Sequence, residues 1–191
     1  GSGKSTLLAL VGGILVSESG TLKVLGKEIK SLSSSARDAF RVDHIGFIFQ
    51  LFNLLPYLSI EENVMLPLIF SKIRAERAGR TKLDQVNEAH RLLRALELEE
   101  PLAKKSTVIE LSVGQQQRVA AARALIGNPE LVIADEPTSA LDSDLRHSFL
   151  ELLFSECKKS GTTLLFVSHD SSLSELFKKE ISMNEINIVN N

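Results

Sequence analysis

The sequence predicts an α/β fold whose sheet is interrupted by a mostly helical insertion, and three observations point to it. Leu131-Val132-Ile133-Ala134 and Thr163-Leu164-Leu165-Phe166-Val167 are short, nearly continuous apolar runs, the pattern of strands covered on both faces of a parallel sheet. His44-Ile45-Gly46-Phe47-Ile48-Phe49 is a third strand far upstream of them. Between that strand and the later two, apolar residues recur at helical rather than alternating spacing. A discontinuous core of residues 1–50 and 126–191 is therefore expected, with residues 51–125 as a helical subdomain.

Taken in order, residues 7–11 should form a helix that ends near Gly12-Gly13. Glu18-Ser19-Gly20 reads as a turn into an alternating strand over residues 21–25, with Gly26 as the next turn. The strand at 44–49 delivers Gln50 at its end. An apolar loop containing Pro56 follows, and then Ser59 with Glu62 three residues later makes a capping box that starts a helix. Leu83, Val86, Ala89, Leu92, Leu93 and Leu96 mark an amphipathic helix that stops before Pro101. Glu97, Glu99 and Glu100 read as its solvated end, and residues 115–125 as another helix. His44, His90 and His147 read as surface or structural side chains.

Composition narrows the function. With 191 residues the chain has room for one α/β domain with a sizeable core, and 43% hydrophobic and 24% charged residues are ordinary for a globular protein. A net charge of −2 offers no basic surface for nucleic acid. The single cysteine, Cys157, rules out an internal disulfide and a cysteine-based zinc site. The longest nearly apolar run, residues 7–16, is about half of what spans a bilayer.

Three segments carry chemistry. Gly1-Ser2-Gly3-Lys4-Ser5-Thr6 is the back half of a Walker A loop, in which small residues let backbone N–H groups close around phosphate and the following helix aims its positive end at it. Lys4 would reach the β and γ phosphates, and the Ser5 hydroxyl would ligate Mg²⁺. The apolar strand ending in Asp135-Glu136 suits Walker B, with Asp135 holding the Mg²⁺ shell and Glu136 polarising the attacking water. In Leu111-Ser112-Val113-Gly114-Gln115-Gln116-Gln117-Arg118, Ser112 and the N–H groups around Gly114 stand at a helix N-terminus, an anion-receptive place.

That last string, with Val119-Ala120-Ala121-Ala122-Arg123-Ala124-Leu125 after it, resembles the signature of the ABC ATPases. The resemblance implies a P-loop NTPase (RecA-like) core with an inserted helical subdomain and a small antiparallel β element. It implies ATP and Mg²⁺ as ligands, with Ser112, Gly114 and Gln115 gripping the γ-phosphate of ATP held by the other subunit of a homodimer. Gln50 matches the family's Q-loop glutamine, a contact to Mg²⁺ and the attacking water. Asp142, in Ser139-Ala140-Leu141-Asp142, matches the loop lining the dimer seam, and His169, in Val167-Ser168-His169-Asp170, matches the switch histidine.

Phe52-Asn53-Leu54-Leu55-Pro56, Glu62-Asn63-Val64, Leu66-Pro67-Leu68 and Ile181-Ser182-Met183-Asn184-Glu185-Ile186-Asn187 are similar to the branch serving lipoprotein release and macrolide-type efflux. That branch implies a permease partner with a large periplasmic domain, and a place on the cytoplasmic face of the inner membrane, held there through the permease. Two departures stand out. Val113 replaces the signature's first glycine, which requires negative φ there. The family also has a strand and an adenine-stacking aromatic residue upstream of the position of Gly1, so the sequence reads as N-terminally truncated. Residues 1–191 alone are expected to aggregate or to bind ATP weakly, because the lost strand leaves sheet edges open.

Overall fold

The computed structural model describes residues 3–187. Helix α1 (Lys4–Val11) follows Gly3, whose φ of 90° suits a residue without a Cβ and whose carbonyl accepts from the Leu7 N–H at 2.9 Å. A small antiparallel hairpin comes next, β1 (Lys23–Val24) and β2 (Lys27–Glu28). The strand expected over 21–25 is thus shorter, because Leu25 (φ 49°) and Gly26 (φ 78°) both turn left-handed. That is the two-residue connection whose twist matches paired strands, so Leu25 belongs to the turn. Helix α2 (Ser34–His44), capped by the Ser33 hydroxyl on the Ala36 N–H at 3.2 Å, leads straight into β3 (Ile45–Ile48).

Five α-helices separate β3 from the next strand: α3 (Ile60–Phe70), α4 (Lys72–Ala78), α5 (Lys82–Ala95), α6 (Glu99–Ala103) and α7 (Val113–Leu125). The capping box at Ser59 and Glu62 is formed, with Glu62 N–H on the Ser59 hydroxyl at 3.2 Å and Ser59 N–H on the Glu62 carboxylate at 2.8 Å. Helix α5 ends before Pro101, but Glu99 and Glu100 are not its tail. They open α6, and Pro101 sits in that helix's first turn, where no intrahelical bond needs its missing N–H. Glu97 lies between the two helices with φ 57° and pairs with Arg118 at 2.9 Å.

β4 (Leu131–Asp135), α8 (Ser143–Ser160), β5 (Thr163–Val167) and α9 (Met183–Ile186) complete the described chain. The larger sheet runs β3-β4-β5, parallel throughout, with Ile48 beside Ala134 and Asp135 beside Val167. Ile45, Leu131 and Ile133 pack on one face with Leu8, Ile29 and Phe40. Ile48, Val132 and Ala134 pack on the other with Val119, Ala120, Phe149 and Leu150. β4 is therefore apolar at successive positions because each face needs its own half. β5 departs from expectation: it is half-buried, having one strand neighbour among the described residues.

Two contacts fix α7 over the sheet. A Cβ at Gly46 would lie 2.2 Å from the Ala124 carbonyl oxygen, so only glycine lets β3 approach the helix this closely. At the end of α7, the buried Arg74 of α4 donates from Nε to the Ile126 carbonyl and from Nη2 to the Ala124 carbonyl, both at 2.8 Å. These are acceptors that the helix itself leaves unpaired. Burial lowers the Arg74 pKa to about 10, which still keeps it charged at neutral pH. Arg91 of α5 joins the insertion to α8 through the buried Glu156 at 2.8 Å.

Candidate functional site

The parallel register brings three segments to one level at the carboxyl ends of the strands. Gln50 is two residues past Ile48, and Glu136 is two past Ala134, its partner in register. His169 is two past Val167, which pairs with Asp135. Crevices outside the carboxyl ends of parallel strands are where α/β sheets bind ligands.

Around that level the charged groups converge. Lys4, in the first turn of α1, donates from Nζ to His169 Nδ1 at 2.7 Å. Nε2 of the same ring lies 2.6 Å from Glu136 Oε1 and 3.2 Å from Lys4 Nζ, so Lys4, His169 and Glu136 form one contact chain. Glu136 has φ 46°, a costly conformation for a residue with a side chain, held by its N–H on the Val167 carbonyl at 3.0 Å. Asp135 beside it is pushed above the usual carboxylate range by burial and by the Glu136 charge, against the opposing pull of Lys4 and of a hydrogen bond with Ser5. Thr6 is exposed in the same helical turn. The expected phosphate contacts of Gly1 and Ser2 fall outside the described residues.

Gln50 is exposed, and its side chain makes no hydrogen bond among the described residues. The loop after it is fixed by a residue the sequence reading passed over. Arg123 of α7 donates to the Asn53 carbonyl at 2.7 Å and the Phe52 carbonyl at 2.5 Å, across a bend in which Phe52 and Asn53 both have positive φ. Positive φ at two successive non-glycine residues is not written in any spacing pattern, so the sequence carried no signal for it.

The remaining residues meet elsewhere. Ser112, Gly114, Gln115 and Asp142 line a cleft of about 290 Å³ with Val113 and Leu141. Ser112 caps α7: its hydroxyl accepts from the Gln115 N–H at 3.3 Å while the Gln115 amide oxygen accepts from the Ser112 N–H at 3.0 Å. Val113 is the first residue of α7 and is not among the positive-φ residues, so a β-branched side chain fits there. The N–H groups of Val113 and Gly114, in the first helical turn, have no intrahelical acceptor, and both residues line the cleft. Asp142 caps α8 by accepting from the Leu145 N–H at 3.0 Å. The donor sets thus fall into two groups, one ionic and one made of helix starts.

Among the described residues, no group of three or more His, Cys, Asp or Glu side chains is placed to hold a metal by itself. The hydroxyl of Ser5 against the Asp135 carboxylate is nevertheless a hard-oxygen pair of the kind Mg²⁺ accepts when phosphates and water supply its other ligands. No described helix is long and apolar enough to cross a membrane.

A nucleotide-hydrolysing α/β domain is the class that this parallel sheet, the glycine-started helix α1 and the Asp135-Glu136 acid pair point to. The sequence pattern of the ABC transporter family matches residues 1–139, and the chain belongs to that family as an ATP-binding, ATP-hydrolysing subunit. Among its relatives, the lipoprotein-releasing system ATP-binding protein LolD of Porphyromonas gingivalis is 38% identical over 91% of this chain and 75% of its own length. The macrolide export ATP-binding/permease protein MacB of Mannheimia succiniciproducens is 39% identical over 99% of this chain, which covers 28% of that longer protein. Among solved structures, the dimeric post-hydrolysis state of the ATP-binding cassette MJ0796 bound to ADP and Pi superposes with a TM-score of 0.77 at 39% identity, over 90% of this chain and 72% of that one.

Proposed function

We propose that two copies of this protein close head to tail around two ATP molecules, the Lys4 face of one meeting the Ser112 cleft of the other. What supports the reading is a separation: Lys4, His169 and the acid groups lie at the strand ends, while the residues at the start of α7 line a different cleft. Within one copy Lys4 neutralises β- and γ-phosphate charge, and Glu136 takes the proton of the attacking water. His169, now bonded to both Lys4 and Glu136, holds the γ-phosphate. Gln50, at the same sheet level, orients the water from the neighbouring strand. A Mg²⁺ bound with the nucleotide would rest on Ser5, Asp135 and Gln50, where it would offset charge developing on phosphate oxygens. Across the seam, Ser112, Gly114 and Gln115 supply hydrogen bonds to the γ-phosphate, and Asp142 lines the contact.

Residues 1–50 and 126–191 would act as the catalytic core and 51–125 as the helical subdomain that presents the signature. The likeness to LolD and MacB supports a role in releasing lipoproteins or exporting a drug, peptide or lipid. The partner would be a permease with a large periplasmic domain, holding the subunit at the cytoplasmic face of the inner membrane. Co-purification of the full-length protein with a permease, and ATP turnover that rises when the two are reconstituted together, tests this reading. Turnover unaffected by any such permease would count against it.

A further inference from the structure

Resting on that reading of His169 and Asp142, we infer that Arg146 is a positioning residue that couples the Asp142 turn to the segment carrying His169. Arg146 stands one turn into α8, with its own N–H on the Asp142 carbonyl at 3.0 Å. Its guanidinium reaches in two directions. Nη2 donates to the Leu141 carbonyl at 3.2 Å, and Nη1 pairs with the Asp170 carboxylate. Leu141 and Asp142 line the Ser112 cleft. Asp170 directly follows His169. One side chain thus touches both donor sets of a single copy, and so one half of each of the two proposed composite sites.

The Asp170 end is built to transmit position. Its Oδ1 accepts from the Ser172 N–H at 3.0 Å and the Ser172 hydroxyl at 2.6 Å, leaving Oδ2 for Arg146. Its own N–H donates to the Ser168 hydroxyl at 2.9 Å, so the residues on both sides of His169 are tied down. The Ser172 bonds, then the Arg146 charge, hold the Asp170 carboxyl below its usual range, so the pair is ionic at neutral pH. His169 itself is 70% exposed and its ring meets only Lys4 and Glu136 among the described residues, so its aim depends on this backbone anchor. The Arg146 Nε proton is buried without a partner, a cost that favours the guanidinium staying where its two other nitrogens are satisfied. A shift of the Asp142 turn when a second copy docks would therefore pull on Asp170 and change the aim of His169, which in the single copy meets Glu136.

The test uses steady-state and single-turnover ATPase measurements on full-length Arg146→Met, Arg146→Lys, Asp170→Asn and the Arg146→Met/Asp170→Asn double variant, with melting curves to confirm folding. Misplacing a catalytic group predicts a kcat loss of about tenfold in Arg146→Met, with the KM for ATP nearly unchanged. Arg146→Lys recovers part of it. The double variant is no worse than the poorer single one, because both remove the same link. In a His169→Ala background Arg146→Met has no further effect, whereas a purely structural role would lower the rate there too. Full kcat in folded Arg146→Met, or a loss that persists without His169, overturns the inference. Should Arg146→Met not fold, Asp170→Asn is read by the same criteria. If Glu136→Gln and His169→Ala keep full turnover, the underlying site reading fails and the inference with it. If those two lose turnover while the Arg146 and Asp170 variants do not, only the inference fails.

Discussion

The two donor sets of this protein are built by different physics. At the strand ends, Lys4, Ser5, Asp135, Glu136 and His169 come from three segments and are linked to one another by ionic contacts and hydrogen bonds. In the Ser112 cleft the donors belong to a single helix start, and the side chains close on themselves as a capping box. The first set contains the groups able to move protons. The second offers oriented N–H dipoles, and its one carboxylate, Asp142, is engaged in capping α8. Chemistry and recognition are thus separated within one copy, which is why the proposed site is completed only between copies.

The largest effect should follow from removing the acid. Glu136→Gln keeps the shape of the side chain but not its basicity, so turnover should fall by a factor on the order of 10² or more while ATP binding persists. Retained turnover in a nucleotide-binding assay-competent variant would remove Glu136 from the first set. Next comes a complementation between the two sets. Lys4→Ala and Ser112→Ala should each be nearly inactive alone, yet mixing them should restore part of the rate. A mixed dimer then has one doubly damaged site and one intact site. No recovery, with mixed dimers demonstrated, would mean that the two sets do not meet across a seam.

The link between the sets is mechanical as well, since α7 rides on β3 at Gly46. Gly46→Ala places a methyl group against the Ala124 carbonyl and should cost about 1–3 kcal/mol by overpacking, read as a lower denaturation midpoint. An unchanged midpoint would show that α7 can lift away freely. The smallest effect lies far from either set, at the start of β4. Burial would push Glu130 upward, but bonds from Arg77 and His44 prevail and hold its pKa down at about 2. A depressed carboxylate stabilises the fold above its unfolded pKa, and that contribution is lost as pH falls toward 2. Glu130→Gln should therefore lower the melting temperature slightly at neutral pH, with the gap to wild type closing as the solution is acidified below about 4.5. A gap independent of pH would exclude the ion pair as its cause.

How much of this was legible in the sequence depends on whether the signal is local. The apolar runs of β3, β4 and β5 and the box at Ser59 and Glu62 are written in consecutive residues, and they predicted the elements found. Helices α2, α4 and α8 were not predicted, although Ser33, Ser71 and Asp142 cap them. Their apolar positions are sparse or are interrupted by charged residues such as Arg74 and Glu156, which are buried only because distant carbonyls and cations receive them. The same holds at the site. Motifs named Lys4, Ser5, Asp135, Glu136 and His169, but the Lys4–His169–Glu136 chain, the Arg123 brace behind Gln50 and the Arg146 bridge are long-range contacts with no local pattern.

The central claim, that the two sets complete each other only between copies, is tested most directly by ATP turnover per molecule across a dilution series of the full-length protein, with sedimentation run at each concentration. Turnover per molecule should fall as the ATP-bound dimer dissociates. Constant turnover from a protein that sediments as a strict monomer throughout would contradict it.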